Sequence, residues 1–497
     1  MTEECDNLPR GWDYECLGQL GVWSGGGTPS KANDAYWTNG TIPWVSPKDM
    51  KSERIRSSED LITEEATQRT PAKPVPPGSV LMVTRSGILA HTFPVAVTER
   101  VVAINQDLKS LTPYEGIDAN FVAWCLRYRS SAILAECGKH GTTVASIEMD
   151  RLRKLRVPVA PAKEQRRIVE KIESLFAELD KGEESLRQVQ TLLARYRQSV
   201  LKAAVTGELT ADWRARHAGK LEHGRDLLAR ILKARRENWQ GRGKYKEPVE
   251  PDTANLLELP DGWVWASLSQ ITWIKGGITV DKKRNPTNPI TLPYLRVANV
   301  QNGYLDLSHV REITVEAEKA EECLLKPGDI LLNEGGDRDK LGRGWVWSGE
   351  IERCIHQNHV FRARPVLAEL SSKFVSFYAN AFGQPFFMQK GKQSVNLASI
   401  SLTAISGLPI PLPPVEEQRE IVELLEDKLG EIGQLEKACE HELSRSSALR
   451  RSVLRHAFAG KLVPQDLNDE PASKLLERIR SQRETANCKT TREAVTA

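Results

Sequence analysis

The stretch best equipped for chemistry runs from Asp329 to Lys340, where Asp329, Glu334, Asp337, Asp339 and Lys340 could together hold Mg2+ against a phosphodiester. The matching stretch of the internal repeat described below, Ser79 to Ala90, contains no carboxylate, so the cluster is read as a loop after a strand. Gly25-Gly26-Gly27-Thr28-Pro29 could cradle a phosphate with its amides. It does not open a helix in a strand-turn-helix unit, and a turn is expected instead. His140, between Lys139 and Gly141, has no nucleophile or metal partner in view, and a surface or ligand-facing position suits it.

Sharper signatures are missing. The chain has no G-x-x-x-x-G-K-[ST] phosphate loop, no Asn-Pro-Pro or Asp-Pro-Pro followed by an aromatic, and no His-x-x-x-His or paired Cys/His cluster. On these grounds no catalytic and no metal-ligating residue is assigned. The eight cysteines are scattered without a C-x-x-C pair and read as reduced and mostly buried.

The elements that would position any site are written twice. Leu155-Arg156-Val157-Pro158-Val159-Ala160-Pro161, then Glu164-Gln165-Arg166 and Ile168-Val169, returns 253 residues later as Leu408-Pro409-Ile410-Pro411-Leu412-Pro413-Pro414, Glu417-Gln418-Arg419 and Ile421-Val422. Ser199-Val200-Leu201 returns as Ser452-Val453-Leu454, and Gly207-Glu208-Leu209 as Gly460-Lys461-Leu462. Weaker echoes join Leu8-Pro9-Arg10-Gly11-Trp12 to Leu259-Pro260-Asp261-Gly262-Trp263, and Pro77-Gly78 to Pro327-Gly328. Leu227-Leu228 to Ile231 likewise resembles Leu475-Leu476 to Ile479. Between landmarks the halves diverge, so two copies of one frame could present two different surfaces.

Each half has two textures. Residues 1–160 and 259–412 are rich in Gly, Pro, Trp and short apolar runs, which predicts strands and turns with some helix. Residues 161–210 and 413–463 read as long helices, entered through Pro161 and Pro413-Pro414 with acidic first turns. A basic helical linker is expected over 211–258 and a helical tail over 464–497. Ile168, Ile172, Leu175, Leu179, Leu186, Val189, Leu193, Tyr196 and Val200 recur in steps of three and four, with Gly182 at the missing place. Ile421, Leu425, Ile432, Leu435, Cys439, Leu449 and Val453 keep the matching frame, interrupted by Lys428, Glu442 and Ser446. These seams predict that the helices pair as an antiparallel coiled coil, with a compact domain as the connection. The expected fold is α+β: two tandem mixed α/β domains and two long helices related by a pseudo-twofold internal repeat.

Composition bounds the function. A chain of 497 residues is long enough for two or more cores, and 40% hydrophobic with 27% charged residues is an ordinary globular balance. No run approaches the roughly 20 apolar residues of a membrane span. The acidic first residues lack a signal-peptide pattern, so a cytoplasmic location is expected. Net charge is only +3, but Trp213 to Lys246 holds eleven Lys or Arg against three acidic residues, a solvated basic face or a phosphate contact.

Three features together, Gly26-Gly27-Thr28-Pro29-Ser30 followed by Ile42-Pro43-Trp44-Val45, the Pro-rich entries into Glu-Gln-Arg helices, and Gly207-Glu208-Leu209 with its counterpart, resemble the alternating target-recognition domains and conserved regions of Type I restriction-modification specificity subunits. The second half departs from this pattern with Gly276-Gly277-Ile278-Thr279. The resemblance implies a non-catalytic subunit for which each half reads one part of a bipartite double-stranded DNA target, with the paired helices as spacer. It implies two modification subunits using S-adenosylmethionine and two ATP- and Mg2+-dependent restriction subunits as partners, with no cofactor in this chain. A specificity subunit of a Type IIG-like system, a non-DNA coiled-coil scaffold and a self-contained nuclease are the alternatives. Base edges are read by side chains that reach the major groove, while other basic residues hold phosphates. Polar, Gly-flanked loops supply the DNA-binding candidates: Lys48, Arg85, Ser86, Lys139, His140, Thr142 and Thr143 in the first half, and Arg296, Asn333, Arg338, Lys340, Arg343, Lys390, Lys392 and Gln393 in the second.

Overall fold

The computed structural model describes residues 8–139, 144–241, 243–281, 286–336, 341–390, 392–393 and 398–495. The chain forms two compact units: residues up to Leu186 together with those from Glu440 onward, and Arg187–Cys439. Both are built on one plan. In the first, strand Asp13–Cys16 pairs antiparallel with Arg156–Val159, closing the sheet domain where the long helix begins. A five-stranded sheet and a four-stranded sheet lie between these closing strands in the chain. The second unit repeats the closure with Val264–Ser267 against Pro409–Leu412. It also repeats the parallel pairing of the first sheets, Leu295 opposite His356 where the first has Val45 opposite Ile104.

The alternating short apolar runs explain these sheets. Val80–Val83 is buried on both faces and reads as continuously apolar, and Val95–Thr98 and Ile330–Asn333 are buried likewise with one polar residue at the end of each. Helix Ala119–Tyr128 packs over the first sheet, burying Phe121 and Trp124 at about 1.5–3 kcal/mol per large side chain.

Two helices of 44 residues follow, α1 (Ala162–Val205) and α3 (Val415–Phe458). Between them lies α2 (Gly224–Glu237), and the chain closes with α4 (Ala472–Val495). Segments read from sequence as a linker and a tail are structural. Leu227 and Ile231 are buried in the core of the second unit, while Leu475, Leu476 and Ile479 share the core of the first with Trp12. Ala472 N donates to Gly11 O at 2.8 Å and Arg480 pairs with Glu15 at 2.6 Å, stitching α4 to the opening strand.

The repeated Glu-Gln motif proves to be a clamp. Trp12 Nε1 donates to Glu164 at 3.0 Å and Trp263 Nε1 to Glu417 at 2.8 Å, with both carboxylates at most 1% exposed. Gln165 accepts from Asp118 N and donates to Ala160 O, each at 2.8 Å. Gln418 does the same with Ser371 N at 3.0 Å and Pro413 O at 2.8 Å. The glutamines satisfy backbone groups and the glutamates indole N–H groups where the sheet domain meets the helix. The Gly-x-Leu landmark has a steric cause. Gly207 and Gly460 have positive φ, +74° and +64°, and a Cβ there would come within 2.5 Å of Pro260 and 2.2 Å of Pro9. Each therefore touches the Leu-Pro-x-Gly-Trp landmark belonging to its own compact unit.

The helices pair antiparallel within each unit, but the seam differs from the apolar stripe. Ile168, Ile172, Leu193 and Val200 are buried, as are Ile421, Leu425, Ile432 and Cys439. Leu175, Leu179, Leu186 and Val453 are half-buried. Val189 is 40% exposed, Tyr196 48%, Leu435 53% and Leu449 44%, so these four are not seam residues. Their places go to the next residue along, Gln190 and Arg197 on α1 and Glu436 and Arg450 on α3, and Phe176 and Glu183 lie on the same shifted face. One residue is a rotation of about 100°. Ion pairs across the helices decide it, since Arg197 meets Glu436 at 2.7 Å and Arg450 meets Glu183 at 3.1 Å. Ser446, read as an interruption, is 7% exposed and donates to Glu183 at 2.7 Å.

Candidate nucleic-acid interface

Each sheet domain carries an edge of very short strands. In the first, Lys139 pairs with Ser146, and Ser146 bridges to Arg85, so Lys139, Ser146 and Arg85 form one row. Ile147 N donates to Thr84 O at 2.8 Å and fixes this row to the end of strand Val80–Val83. In the second, Lys392 pairs with Ser399 and Ser399 with Gly335, again one row, fixed by Ile400 N to Glu334 O at 2.8 Å. Lys139 and Ser146 each lie 253 residues before Lys392 and Ser399. The edge is therefore a repeated element that keeps its lysine and serine and differs in its third member, Arg85 in one copy and Gly335 in the other.

Candidates chosen from scattered loops thus converge. Arg85 is exposed, with its amide held by Asp107 O at 3.2 Å, and no described residue partners its guanidinium. Ser86 is beside it, but its hydroxyl accepts from Ile88 N as the cap of a 3-10 turn. Lys139 is exposed on the outer strand, and Lys390 is exposed at the end of helix Ser372–Lys390, two residues before the second edge. Lys392 and Gln393 lie in the edge strand by their backbone, their side chains being outside the described set. His140, Thr142, Thr143, Arg338 and Lys340 lie outside the described residues. Arg343 is half-buried, its carbonyl accepting from Asn333 N at 2.8 Å.

Three candidates serve the fold instead. Asn333 is 1% exposed and donates to Val300 O at 2.8 Å, so it has no path to a base. Arg296 donates to His309 O at 3.1 Å with its Nε buried, tying down the loop that follows. Lys48 is held by Glu59 at 2.9 Å and Asp60 at 3.0 Å, and hydrogen bonds to these carboxylates raise its pKa above the ordinary lysine range. Two of its three N–H donors are thus held by carboxylates whose charge offsets its pull on a phosphate. Polar residues in Gly-flanked loops bond locally as readily as they bind ligands, and sequence does not separate the two.

The chemistry-bearing stretch resolves likewise. Asp329 is 1% exposed and chelated by Arg364 at 2.6 and 2.7 Å, while Glu334 bonds His359 at 2.6 Å. Asp337 and Asp339 lie outside the described residues, and no group of three or more potential metal ligands occurs among the described ones. The glycine run is a close approach. A Cβ on Gly26 would lie 2.1 Å from Ile104 O, and one on Gly277 2.0 Å from His356 O. Gly27 N and Ile278 N then donate to those same carbonyls at 2.9 and 2.8 Å, so Ile278 keeps the anchor despite the altered sequence. Much of the basic run is also spent internally: Arg214 pairs with Glu417 at 2.6 Å, Arg230 with Glu222 at 2.7 Å and Arg236 with Glu247 at 2.6 Å.

Ser146, Ser399, Glu334 and His359 escaped the sequence reading as candidates for this edge. A signal existed for the serines, since Ala145-Ser146-Ile147 returns unchanged as Ala398-Ser399-Ile400.

Two like sheet domains, each closed onto a stretch of antiparallel helix pair and each bearing the same edge, define a duplicated α+β protein. The model of the Type I restriction modification DNA specificity domain matches residues 9–188 and 260–445, and the chain belongs to that family. It is 41% identical over 184 residues to the Escherichia coli EcoR124I/EcoR124II specificity subunit, an alignment covering 36% of this chain and 46% of that one. It is 26% identical over 397 residues to the Salmonella potsdam StySPI specificity subunit, covering 77% and 75%. The HsdS subunit of Thermoanaerobacter tengcongensis shares the fold, with a TM-score of 0.52 at 20% identity over 93% of this chain and 100% of that one. A chain from a structure of type I R-M complex assembly aligns with a TM-score of 0.60 at 20% identity, over 92% and 100%. Among the described residues no helix is long and apolar enough to cross a membrane.

Proposed function

We propose that this chain is the DNA-reading subunit of a Type I restriction-modification complex, in which each half reads one part of a bipartite duplex target. The observation that carries this reading is the repeated edge, one frame presenting Lys139, Ser146 and Arg85 in one copy and Lys392, Ser399 and Gly335 in the other. The frame keeps lysine and serine in both copies and sets Arg85 against Gly335 at the third place, and a shared frame with a local difference is what two half-site readers require. Arginine beside serine suits a guanine edge and its flanking phosphate.

In this reading the chain supplies no catalysis. Two modification subunits bring S-adenosylmethionine and methylate, and two restriction subunits bring ATP-driven, Mg2+-dependent cleavage. A cytoplasmic location follows from these substrates. The test is to exchange residues 259–412, which contain both closing strands of the second domain, for those of a relative and to map methylated sites with a modification partner present. One half of the methylated sequence should change. A change in both halves refutes modular reading, and methyl transfer by the purified chain alone refutes a non-catalytic role.

A further inference from the structure

We propose that Glu334, oriented by His359, accepts a hydrogen bond from a cytosine amino group in the half-site read by the second domain. This rests on the DNA-reading function proposed above and assigns one base contact within it.

Glu334 stands at the root of the second edge, directly before Gly335–Gly336. Its backbone is held from both sides, the amide donating to His359 O at 2.9 Å and the carbonyl accepting from Ile400 N at 2.8 Å. Its carboxylate is aimed as well as anchored. Oε2 meets His359 Nδ1 at 2.6 Å, while Oε1 has no partner among the described residues. The Glu334 side chain is 26% exposed and that of His359 55%. Asn358 Nδ2 lies 3.4 Å from His359 Nε2, at the far end of the imidazole.

The other copy of the frame is closed at this point. Thr84 accepts from Ile147 N as Glu334 accepts from Ile400 N, but it is 6% exposed and its hydroxyl turns inward to Asp107 O at 3.0 Å. So the same root carries a satisfied, buried threonine in one half and an oriented, accessible acid in the other.

An acid on a DNA-facing edge is repelled by phosphates, so it contributes nothing to general affinity and a penalty wherever it lacks a donor. The major-groove donor without a ring acceptor on the same base is the cytosine N4 amino group, the partner expected for a lone carboxylate. Adenine sets N7 beside its amino group and so favours amide side chains. Gly335 and Gly336 place no side chain next to the acid and allow close approach of another backbone.

The experiment uses the full chain with its modification partner, mapping methylated sites for the native protein, Glu334→Gln and His359→Ala. Glu334→Gln keeps shape and the bond to His359 but loses the charge. Preference for cytosine at one position of one half-site should fall about tenfold to a hundredfold, with the other half-site unchanged. His359→Ala, which leaves the carboxylate but frees its orientation, should relax the same position by less. The proposal is overturned if both variants keep full preference at every position, or if methylation falls equally on all sequences. Sequence-independent methylation by the native complex would instead refute the DNA-reading function itself.

Discussion

Glu183 on α1 and Arg450 on α3 meet across the helix pair at 3.1 Å, and the repeat copies this contact in reverse. Glu436 and Arg197, the residues 253 positions after Glu183 and before Arg450, meet at 2.7 Å. One sequence motif, a Glu followed by an Arg two heptads on, therefore provides both partners of two charge locks. Ser446 adds a third group to the first lock, and the Arg450 guanidinium also lies over the Phe176 ring at 5.0 Å. Paired polar groups in a seam are best suited to fixing alignment.

Arg450→Ala should lower stability by about 1–2 kcal/mol, because Glu183 and Asp180 lose one cation that meets both and the Phe176 ring loses its cover. Leu449→Ser, on the neighbouring exposed position, should change it by no more than about 0.5 kcal/mol. Urea unfolding of the purified chain separates the two. Equal losses would restore Leu449 to the seam.

His356 predicts a dependence on pH. It is fully buried, Nδ1 lies 2.7 Å from Val360 O, and burial pushes its pKa down to about 4. The unfolded chain titrates near 6.5, so between about 6.5 and 4 the unfolded state binds the extra proton. Stability from this site is thus complete above about pH 6.5 and declines as pH falls toward 4, by at most about 3 kcal/mol. Ile104 holds the matching place in the first unit. His356→Ile should flatten the decline in unfolding midpoint over that window, and an unchanged pH profile would remove His356 as its source.

Arg85 and Lys48 should behave differently although sequence ranked them together. Arg85→Ala should cost about 1–3 kcal/mol on the correct site and relax one base position. Lys48→Ala should leave DNA affinity within about twofold, since Glu59 and Asp60 already neutralise the ammonium. Titration of labelled duplexes at fixed salt checks both, and a large loss from Lys48→Ala would return it to the interface.

If the helix pair sets the spacing between half-sites, lengthening it should lengthen the spacer. Gly182 and Leu435 attract insertions by sequence, but each has its own partner helix stretch: Glu183 meets Arg450, and Leu435 adjoins the Glu436 to Arg197 pair. Matched insertions belong at Gly182 and Ala448. Four residues in each helix add about 6 Å and rotate the sequel by about 40°. Methylation mapping should then show a spacer longer by one or two base pairs with both half-sites unchanged. An active variant keeping the original spacing refutes the ruler.

The sequence by itself determined the duplication, the two sheet domains, the two long helices and their proline entries. Those follow from local patterns, because apolar periodicity, proline geometry and repeated landmarks act over a few residues. It also marked Glu164, Gln165, Glu417 and Gln418, though not why: their partners Trp12, Asp118, Trp263 and Ser371 are distant in the chain. Only the tertiary structure decided which face of each helix is the seam. Apolar spacing favoured Val189 and Tyr196, but Gln190 and Arg197 fill the seam because Glu436 and its neighbours wait across it. The tertiary structure likewise sorted Arg85 from Asn333 and Lys48. An exposed cation, a buried amide and a neutralised ammonium look alike as letters, and differ through long-range contacts that no window of sequence contains.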